Sequence, residues 1–258
     1  MISIIIPILN EEATIGRLLL LLIKNVSKKN VSEIIVVDGG STDNSKEIIN
    51  GFVTSSDSDV SESYREVGEI GLDTFLQNKN TRPDVHLVIS KKGRAKQMNV
   101  GAMQAKGNIL YFLHADSFPP KHFDALIVKE IQKGHLAGCF KMKFDSDHWW
   151  LNLAGWFTQF GWKVCRGGDQ SLFITKNLFD MIGGYDESFV VYEDNDLINK
   201  LYELKQFVVI QEWLTTSARR YHNNGVWKLQ YHFWAIYIKK WFGASAEELL
   251  AYYKKYIV

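Results

Sequence analysis

Short apolar segments rich in β-branched residues alternate with segments whose apolar residues recur at helical spacing, and this alternation constrains the fold most. Ile2 to Ile6 is the first apolar run, and Pro7 ends it. Apolar residues then recur three and four positions apart from Ile15 to Ile23, as on one face of a helix. Further apolar runs follow at Ile34 to Val37, His86 to Ile89 and Ile109 to Leu113. Strands without a polar face, alternating with helices, are typical of an α/β fold with a mainly parallel sheet flanked by helices.

The starts of the helices are predicted from residues that favour helix N-termini. Asn10 is expected to cap the first helix, with Glu11 and Glu12 in its first turn. Ser41 or Thr42 is expected to start the second. A third helix is expected to press a narrow face of small side chains against the sheet, formed by Ala95, Met98, Ala102 and Ala105.

The length of 258 residues suits one large α/β domain or two small ones. No linker rich in proline or glycine separates the halves, so a single domain over residues 1–258 is expected. Residues 1–118 would form a nucleotide-binding half, and residues 119–258 an acceptor half with C-terminal helices. Residues 53–82 show little apolar periodicity and are expected to form a long insertion, mobile in part.

Composition argues against several classes of protein. Thirty basic and 29 acidic residues give a net charge of +1, so nucleic acid is not expected as a partner. Cys139 and Cys165 form no CxxC pair, which argues against a zinc site. The segment MISIIIPILNEE lacks a basic region and is expected to be a strand rather than a signal peptide. The two thiols suggest a reducing cytosol, and the longest apolar run is too short to span a bilayer. A cytoplasmic protein is therefore expected, with peripheral membrane association as the alternative.

Polar side chains follow two of the apolar runs. Asp38 comes before two glycines, and its carboxylate could bind a base or a ribose, or only cap a turn. The tripeptide His114–Asp116 follows the fourth run, and one carboxylate beside a diphosphate is enough protein ligand for Mg²⁺ or Mn²⁺. An ordinary strand-end turn is the alternative there. Both segments are expected at the carboxyl edge of the sheet, where open α/β folds bind ligands.

Acidic and basic clusters follow. Four carboxylates crowd a predicted helix after a glycine-rich segment, Glu193, Asp194, Asp196 and Glu203. They could be partners of the helix dipole, or one could be a general base, and spacing does not decide between these. Arg94, with nearby lysines, and the segment SARRYH at 217–222 could bind a diphosphate or form solvated loops.

The order of these motifs carries more weight than any one of them. PxxNEE, VVDGGSTD, GRAKQMNVGA, HAD, GGYDE and ED together resemble the family 2 glycosyltransferases of the GT-A fold. The resemblance covers nearly the whole chain apart from residues 53–82. Within the family, the chain resembles a bacterial branch whose labels link it to arsenosugar biosynthesis or to selenium-associated gene clusters. It implies an enzyme that transfers a sugar from a nucleotide diphosphate sugar to an acceptor hydroxyl, with inversion and with Mn²⁺ or Mg²⁺ as cofactor.

The resemblance also implies roles at matching positions. Asp194 would be the catalytic base. HAD stands in place of the family's usual DxD, which leaves Asp116 as the main metal ligand and His114 at the first Asp position. An imidazole there suits Mn²⁺ better than Mg²⁺. The positions implied to bind the nucleotide sugar are Pro7, Leu9, Glu11, Asp38, Arg94, Asn99, His114, Ala115, Asp116, Gly168, Asp169, Gln170 and Glu193.

Three other functions are less consistent with the sequence. A nucleotidyltransferase usually opens its first strand into a glycine-rich loop, and PILNEE has no glycine. A dinucleotide oxidoreductase would carry GxGxxG after that strand. A non-catalytic sugar-nucleotide binder would explain the HAD substitution but not the ED pair.

The C-terminal segment Val226 to Tyr256 is expected to form two helices broken near Gly243. The first carries a stripe of large apolar residues at helical spacing, Trp227, Tyr231, Trp234, Ile238 and Trp241. The stripe is expected to pack on the protein's own core or on a second subunit, with a membrane surface as the less favoured alternative. The sequence leaves the acceptor open among a small molecule, a glycan and a lipid-linked molecule.

Overall fold

Four apolar strands of the first half lie side by side in parallel, in the order β3-β2-β1-β4. The computed structural model describes residues 1–53 and 82–257, so most of the expected insertion at 53–82 lies outside the described residues. The elements of this half are β1 (Ile2–Ile8), α1 (Ile15–Asn25), β2 (Val31–Asp38), α2 (Ser45–Asn50), β3 (Asp84–Ile89), α3 (Arg94–Gln104) and β4 (Ile109–Phe112).

The second half extends the same sheet on the far side of β4. There β7 pairs antiparallel with β4, β6 antiparallel with β7, β8 parallel with β6, and β5 antiparallel with β8. Two short 3-10 turns, Lys163–Cys165 and Gly168–Gln170, precede β7. The elements are β5 (Ser117–Phe118), α4 (Phe123–Gln132), β6 (Ala137–Phe144), α5 (Trp149–Phe157), β7 (Leu172–Thr175), α6 (Lys176–Met181), α7 (Glu193–Glu203), β8 (Phe207–Thr216), α8 (Arg219–Asn224), α9 (Val226–Trp241) and α10 (Ala246–Tyr256).

Helices cover both faces of the sheet, which explains why β1 and β4 are buried along nearly their whole length. Ile4 and Ile6 point into one core with α1, while Ile5 points into a second core with α3 and α7. The close approach of α3 predicted from its small residues is confirmed, because a Cβ atom added at Gly101 would collide with Ile5. The helix-flanked α/β fold is therefore as expected; the sheet is parallel among the first four strands and mixed in the second half.

The predicted starts of the first two helices are wrong. The first helix begins at Ile15, and Asn10 instead accepts the backbone N–H of Thr42 at 2.8 Å. The second begins at Ser45, and the Ser41 hydroxyl donates to Asp38. These side chains bind partners in the loops after β1 and β2 instead of capping a helix.

The two C-terminal helices break at Gly243 as predicted, where φ is +89°. However, α9 turns Leu229 and Ile236 toward the core. The five residues of the expected stripe face outward, with exposed fractions from 47% for Trp234 to 84% for Trp241. The expectation that this stripe packs on the protein's own core is therefore wrong. Among the described residues, no helix is long and apolar enough to cross a membrane.

Candidate active site

The loops that follow β1 and β2 are joined by hydrogen bonds at the carboxyl edge of the sheet. The backbone N–H groups of Asn10 and Glu11 donate to the hydroxyls of Ser41 and Ser45, each at 2.9 Å. The Glu11 side chain also accepts from Arg219, with 3.1 Å between Nη2 and Oε2. The start of α8 is thus brought to the edge where the first two strands end.

Asp38 is buried at this edge, and its carboxylate is used within its own loop. It accepts the N–H groups of Gly40 at 3.2 Å and Ser41 at 2.9 Å, together with the Ser41 hydroxyl. The carboxylate therefore orders the turn that follows β2. Asp38 lies at the carboxyl edge of the sheet, as expected. Its hydrogen bonds are those of a residue that caps a turn, which was the alternative to ligand binding.

Gln97 is a site residue that the sequence analysis missed. Its Nε2 atom donates to the carbonyl oxygens of Ile8 and Val37, each at 2.7 Å, and so bridges the ends of β1 and β2. A Cβ atom at Gly39 would lie 2.9 Å from this amide, so a larger residue there would displace the Gln97 side chain from its two carbonyl partners. No local sequence pattern marks Gln97, because both partners are distant in the chain.

Arg94, at the start of α3, faces the two acids at the start of α7. Its Nη1 atom lies 3.2 Å from Oε1 of Glu193 and 3.7 Å from Oδ2 of Asp194. Burial, reinforced by the charge of Glu193, raises the pKa of Asp194 to about 7, although Arg94 opposes the shift. Burial also raises the pKa of Glu193, again against the effect of Arg94. Burial thus makes the carboxyl of Asp194 hold its proton to higher pH than a free aspartate does.

His114 lies between two carboxylates. Its Nε2 atom is 3.9 Å from Oδ2 of Asp194, and its Nδ1 atom is 4.0 Å from Oδ1 of Asp169. Burial, and then the charges of Arg94 and Arg220, lower the pKa of His114 to about 3. The imidazole is therefore neutral at physiological pH, which is the form that can bind a metal.

Asp116 lies in the turn between β4 and β5, in a region of concentrated negative charge. Its pKa is raised to about 6 by burial, then by Asp169 and Glu11, while Arg219 acts in the opposite direction. Within residues 1–53 and 82–257, no three His, Cys, Asp or Glu side chains are grouped to hold a metal by themselves. One carboxylate in an excess of negative charge, near a neutral imidazole, suits a cation whose remaining ligands are diphosphate oxygens.

Other predicted positions are engaged within the protein. The Asn99 amide bonds the backbone of Tyr185 in both directions and donates to Glu187, so it holds the GGYDE loop. The Gln170 side chain is buried and accepts from Arg166 at 2.6 Å. Asp169 is largely exposed, Ala115 is buried, Gly168 begins a 3-10 turn, and Pro7 and Leu9 lie half-buried at the end of β1.

A cavity of about 630 Å³ adjoins the acidic start of α7. Arg94, Asp169, Glu193 and Asp194 contribute to its lining. Much of the remaining lining is apolar and comes from β6, α5 and α9, including Met142, Phe144, Trp150, Phe157, Trp234 and Tyr237. The sequence analysis did not place these aromatic residues at the site, because periodicity does not show which helices meet.

Comparison with known proteins agrees with this architecture. The family model described as Glycosyl transferase family 2 matches residues 3–185. The probable glycosyltransferase YdaM of Bacillus subtilis is 24% identical over 218 residues, which is 79% of this chain and 47% of that protein.

Two solved structures show the same fold. TarS residues 1–349 of S. aureus, in complex with UDP-GlcNAc, has a TM-score of 0.60 at 20% identity, over 84% of this chain and 58% of that chain. The mannosyltransferase PcManGT from Pyrobaculum calidifontis, in complex with GDP-Man and Mn²⁺, has a TM-score of 0.59 at 15% identity. That match covers 98% of this chain and 63% of the other.

This chain spans about half of the length of YdaM and less than two thirds of both structural neighbours. The likeness to the solved structures confirms the expected GT-A fold. Because the family model also covers well over half of the 258 residues, the chain belongs to glycosyl transferase family 2.

Proposed function

We propose that this protein transfers a sugar from a nucleotide diphosphate sugar to an acceptor hydroxyl, with inversion at the anomeric carbon. The observation that carries the proposal is Asp194, a buried carboxylate that also lines the cavity beside the acidic start of α7. Its pKa of about 7 suits a general base, because a base works best when its pKa lies near the working pH.

The chemistry assigned to Asp194 is a single displacement. The acceptor oxygen attacks the anomeric carbon and loses its proton to the carboxylate, while the bond from that carbon to the diphosphate oxygen breaks. Arg94 lies close enough to both acids to favour their ionised forms. The cavity beside Asp194 would hold the acceptor, and its walls would limit access of water to the reacting carbon.

The donor would bind at the carboxyl edge of the first four strands. We place the base and ribose against Pro7, Leu9 and Glu11, beside the turn that Asp38 orders. Gln97 would support this site by holding the ends of β1 and β2 together. The neighbours solved with UDP-GlcNAc and GDP-Man support a nucleotide sugar as the ligand class.

We also propose a divalent cation, Mn²⁺ or Mg²⁺, with Asp116 as its main protein ligand. Such a cation neutralises the charge that develops on the departing diphosphate. The excess of carboxylates around Asp116 fits it, as does the neutral state of His114. PcManGT, which was solved with Mn²⁺, supports the assignment at the level of the fold.

At a finer level, we propose that residues 1–258 act as one domain with a donor half and an acceptor half. GRAKQMNVGA, HAD, GGDQSLF and SARRYHNNGVW favour the bacterial branch labelled with arsenosugar biosynthesis or selenium-associated gene clusters.

The proposed function is tested by a donor screen. UDP- and GDP-linked sugars would be added with Mn²⁺, with Mg²⁺ and with EDTA, and the melting temperature of the protein recorded. A donor that binds the folded state must raise that temperature, and we expect one nucleotide class to do so only with metal. Consumption of the same donor in the presence of an acceptor alcohol completes the test. If no nucleotide sugar stabilises the protein under any condition, the proposal is wrong.

A further inference from the structure

We infer that the acceptor carries an apolar segment, and that this segment binds in the aromatic cavity beside Asp194 while the reacting hydroxyl lies at the carboxylate. The inference rests on the proposed function for its hydroxyl end. The apolar binding site is inferred from the cavity itself and does not depend on the proposed function.

The cavity is built where three elements meet. Met142 and Phe144 come from β6, Trp150 from α5, and Trp234 from α9. The rings of Trp150 and Trp234 are in edge contact, with centroids 5.9 Å apart. At about 630 Å³, the volume falls in the range of about 300 to 1,000 Å³ that is typical of small-molecule sites.

Polar groups on several of the lining side chains are already bound within the protein. The Trp150 Nε1 atom donates to Gln230 at 3.3 Å, and the Tyr237 hydroxyl donates to Asn195 at 3.3 Å. These two side chains therefore offer mainly hydrocarbon and ring faces to a ligand. A glycan would need partners for several hydroxyls, and the wall formed by Met142, Phe144 and Phe157 has no polar side-chain group to supply them.

Three arginines line the cavity, Arg94, Arg166 and Arg220, and the buried one, Arg166, has its hydrogen bonds satisfied within the protein. Arg166 gives its five N–H groups to the carbonyl oxygens of Thr158, Phe160 and Trp162, the sulfur of Cys139 and the side chain of Gln170. It therefore has no donor left for an anionic group of the ligand. This favours an uncharged apolar segment over a phosphate at that wall.

The apolar lining continues to the outside of the molecule. Val164, Val190, Trp234 and Ile238 both line the cavity and are exposed. Trp234 and Ile238 also belong to the outward stripe of α9. An apolar chain longer than the cavity could lie along that stripe, whether the acceptor is a soluble amphiphile or a lipid in a bilayer.

Binding is measured first, with methyl, butyl and octyl β-D-glucoside below their micellar concentrations and without nucleotide or metal. Titration calorimetry and the change in tryptophan fluorescence of the protein report it. We expect affinity to rise by up to about fourfold per methylene group, since each one leaves water on binding. Equal affinity for the methyl and octyl compounds, or stronger binding of maltotriose than of octyl glucoside, would overturn the inference. Donor binding is measured separately, so failure of this inference is distinguishable from failure of the proposed function.

Ala154→Phe fills part of the cavity from α5, because Ala154 lines it. Leu153→Phe is the matched control, since Leu153 is exposed on the same helix and does not line the cavity. We expect the dependence on chain length to be lost in the first variant and kept in the second, with donor binding unchanged in both. If Ala154→Phe does not fold, Ile238→Asp introduces a charge at the exposed mouth and should lower octyl glucoside affinity at least tenfold. An unchanged dependence on chain length in a folded cavity variant would contradict the inference.

Flotation at low salt distinguishes a lipid acceptor in a bilayer from a soluble amphiphile. Vesicles of phosphatidylcholine and phosphatidylglycerol are prepared with and without monoglucosyl diacylglycerol. Flotation that requires the glucolipid and is lost in Trp241→Ser supports a lipid acceptor. Binding of octyl glucoside by protein that stays in the soluble fraction supports a soluble amphiphile.

Discussion

The Nε2 atom of His114 lies 3.9 Å from the Oδ2 atom of Asp194. His114 follows β4, and Asp194 lies in the first turn of α7, so the contact joins the HAD segment to the ED pair. The imidazole is neutral, because burial and the charges of Arg94 and Arg220 lower the pKa of His114 to about 3. It therefore adds no positive charge beside Asp194, whose affinity for a proton follows from burial, Glu193 and Arg94.

Asp194→Asn should keep donor binding and lose turnover by about 10²-fold or more, because the amide cannot accept the acceptor proton. Donor consumption and donor affinity are measured on the same preparation. Asp196→Asn is the control, since Asp196 lies in the same helical turn but pairs with Lys200 at 3.0 Å. Near-normal activity in a folded Asp194→Asn protein, or a product that retains the anomeric configuration, would refute the assignment.

The pH profile of turnover should show an ascending limb near pH 7, as Asp194 loses its proton. Arg94→Leu removes a charge that lowers the pKa of Asp194, so it should move this limb to higher pH. Arg94→Lys keeps the charge and should move it less. The profiles are recorded at saturating donor. A limb that stays in place in Arg94→Leu would show that Arg94 does not act on the base.

The stability of the protein should also report on Asp194. Its pKa in the folded state, about 7, lies above its ordinary value of 3.8. As pH rises from about 4 to 7, the unfolded chain therefore releases a proton that the folded protein retains, and the free energy of unfolding falls. The ionised carboxylate is therefore disfavoured in the folded protein, and this penalty is fully present above pH 7.

Asp194→Asn removes that penalty. The variant should unfold at higher temperature than the unmodified protein at pH 8, and the difference should shrink toward pH 4. Thermal unfolding at both pH values measures it. A variant that is less stable at pH 8 would mean that the ionised carboxylate is stabilised in the folded protein.

Asp116→Ala should abolish the metal-dependent part of donor binding, because the diphosphate would lose its link to the protein through the cation. Calorimetry with Mn²⁺ and with EDTA separates that part from the rest. For the unmodified protein, equal donor affinity in the two conditions would count against a metal site.

Asp38→Ala should weaken binding of the free nucleoside diphosphate as much as it weakens binding of the sugar nucleotide. The carboxylate orders Gly40 and Ser41, and its loss leaves their N–H groups without this partner. We also expect a loss of about 1 to 3 kcal/mol in unfolding free energy. A much larger loss of affinity for the sugar nucleotide alone would place Asp38 beside the sugar.

Where local chemistry decides the structure, the sequence was sufficient to predict it. Ile4 and Ile5 are both buried, on opposite faces, so a continuous apolar run was the correct sign of a sheet covered on both sides. The break between α9 and α10 was predicted at Gly243, a residue that adopts positive φ without strain.

Where a side chain has a choice of partners, the sequence was not sufficient. Asn10 and Ser41 are good helix caps in isolation, yet they bind Thr42 and Asp38 because the loops after β1 and β2 meet. The apolar stripe of α9 was likewise expected to pack on the core of the protein, and it faces outward instead. Periodicity shows that residues share a face, but only packing decides which face is covered.

The sequence by itself determined the strand–helix alternation, the order of the motifs and the identity of each acid and base, because these follow from local composition and spacing. Only the tertiary structure decided that Arg94, His114 and Asp194 share one site and that an aromatic cavity adjoins them. The physical reason is that burial and distances between segments far apart in the chain set the proton affinity of Asp194. The residues next to Asp194 in the sequence determine neither its burial nor its distances to those segments.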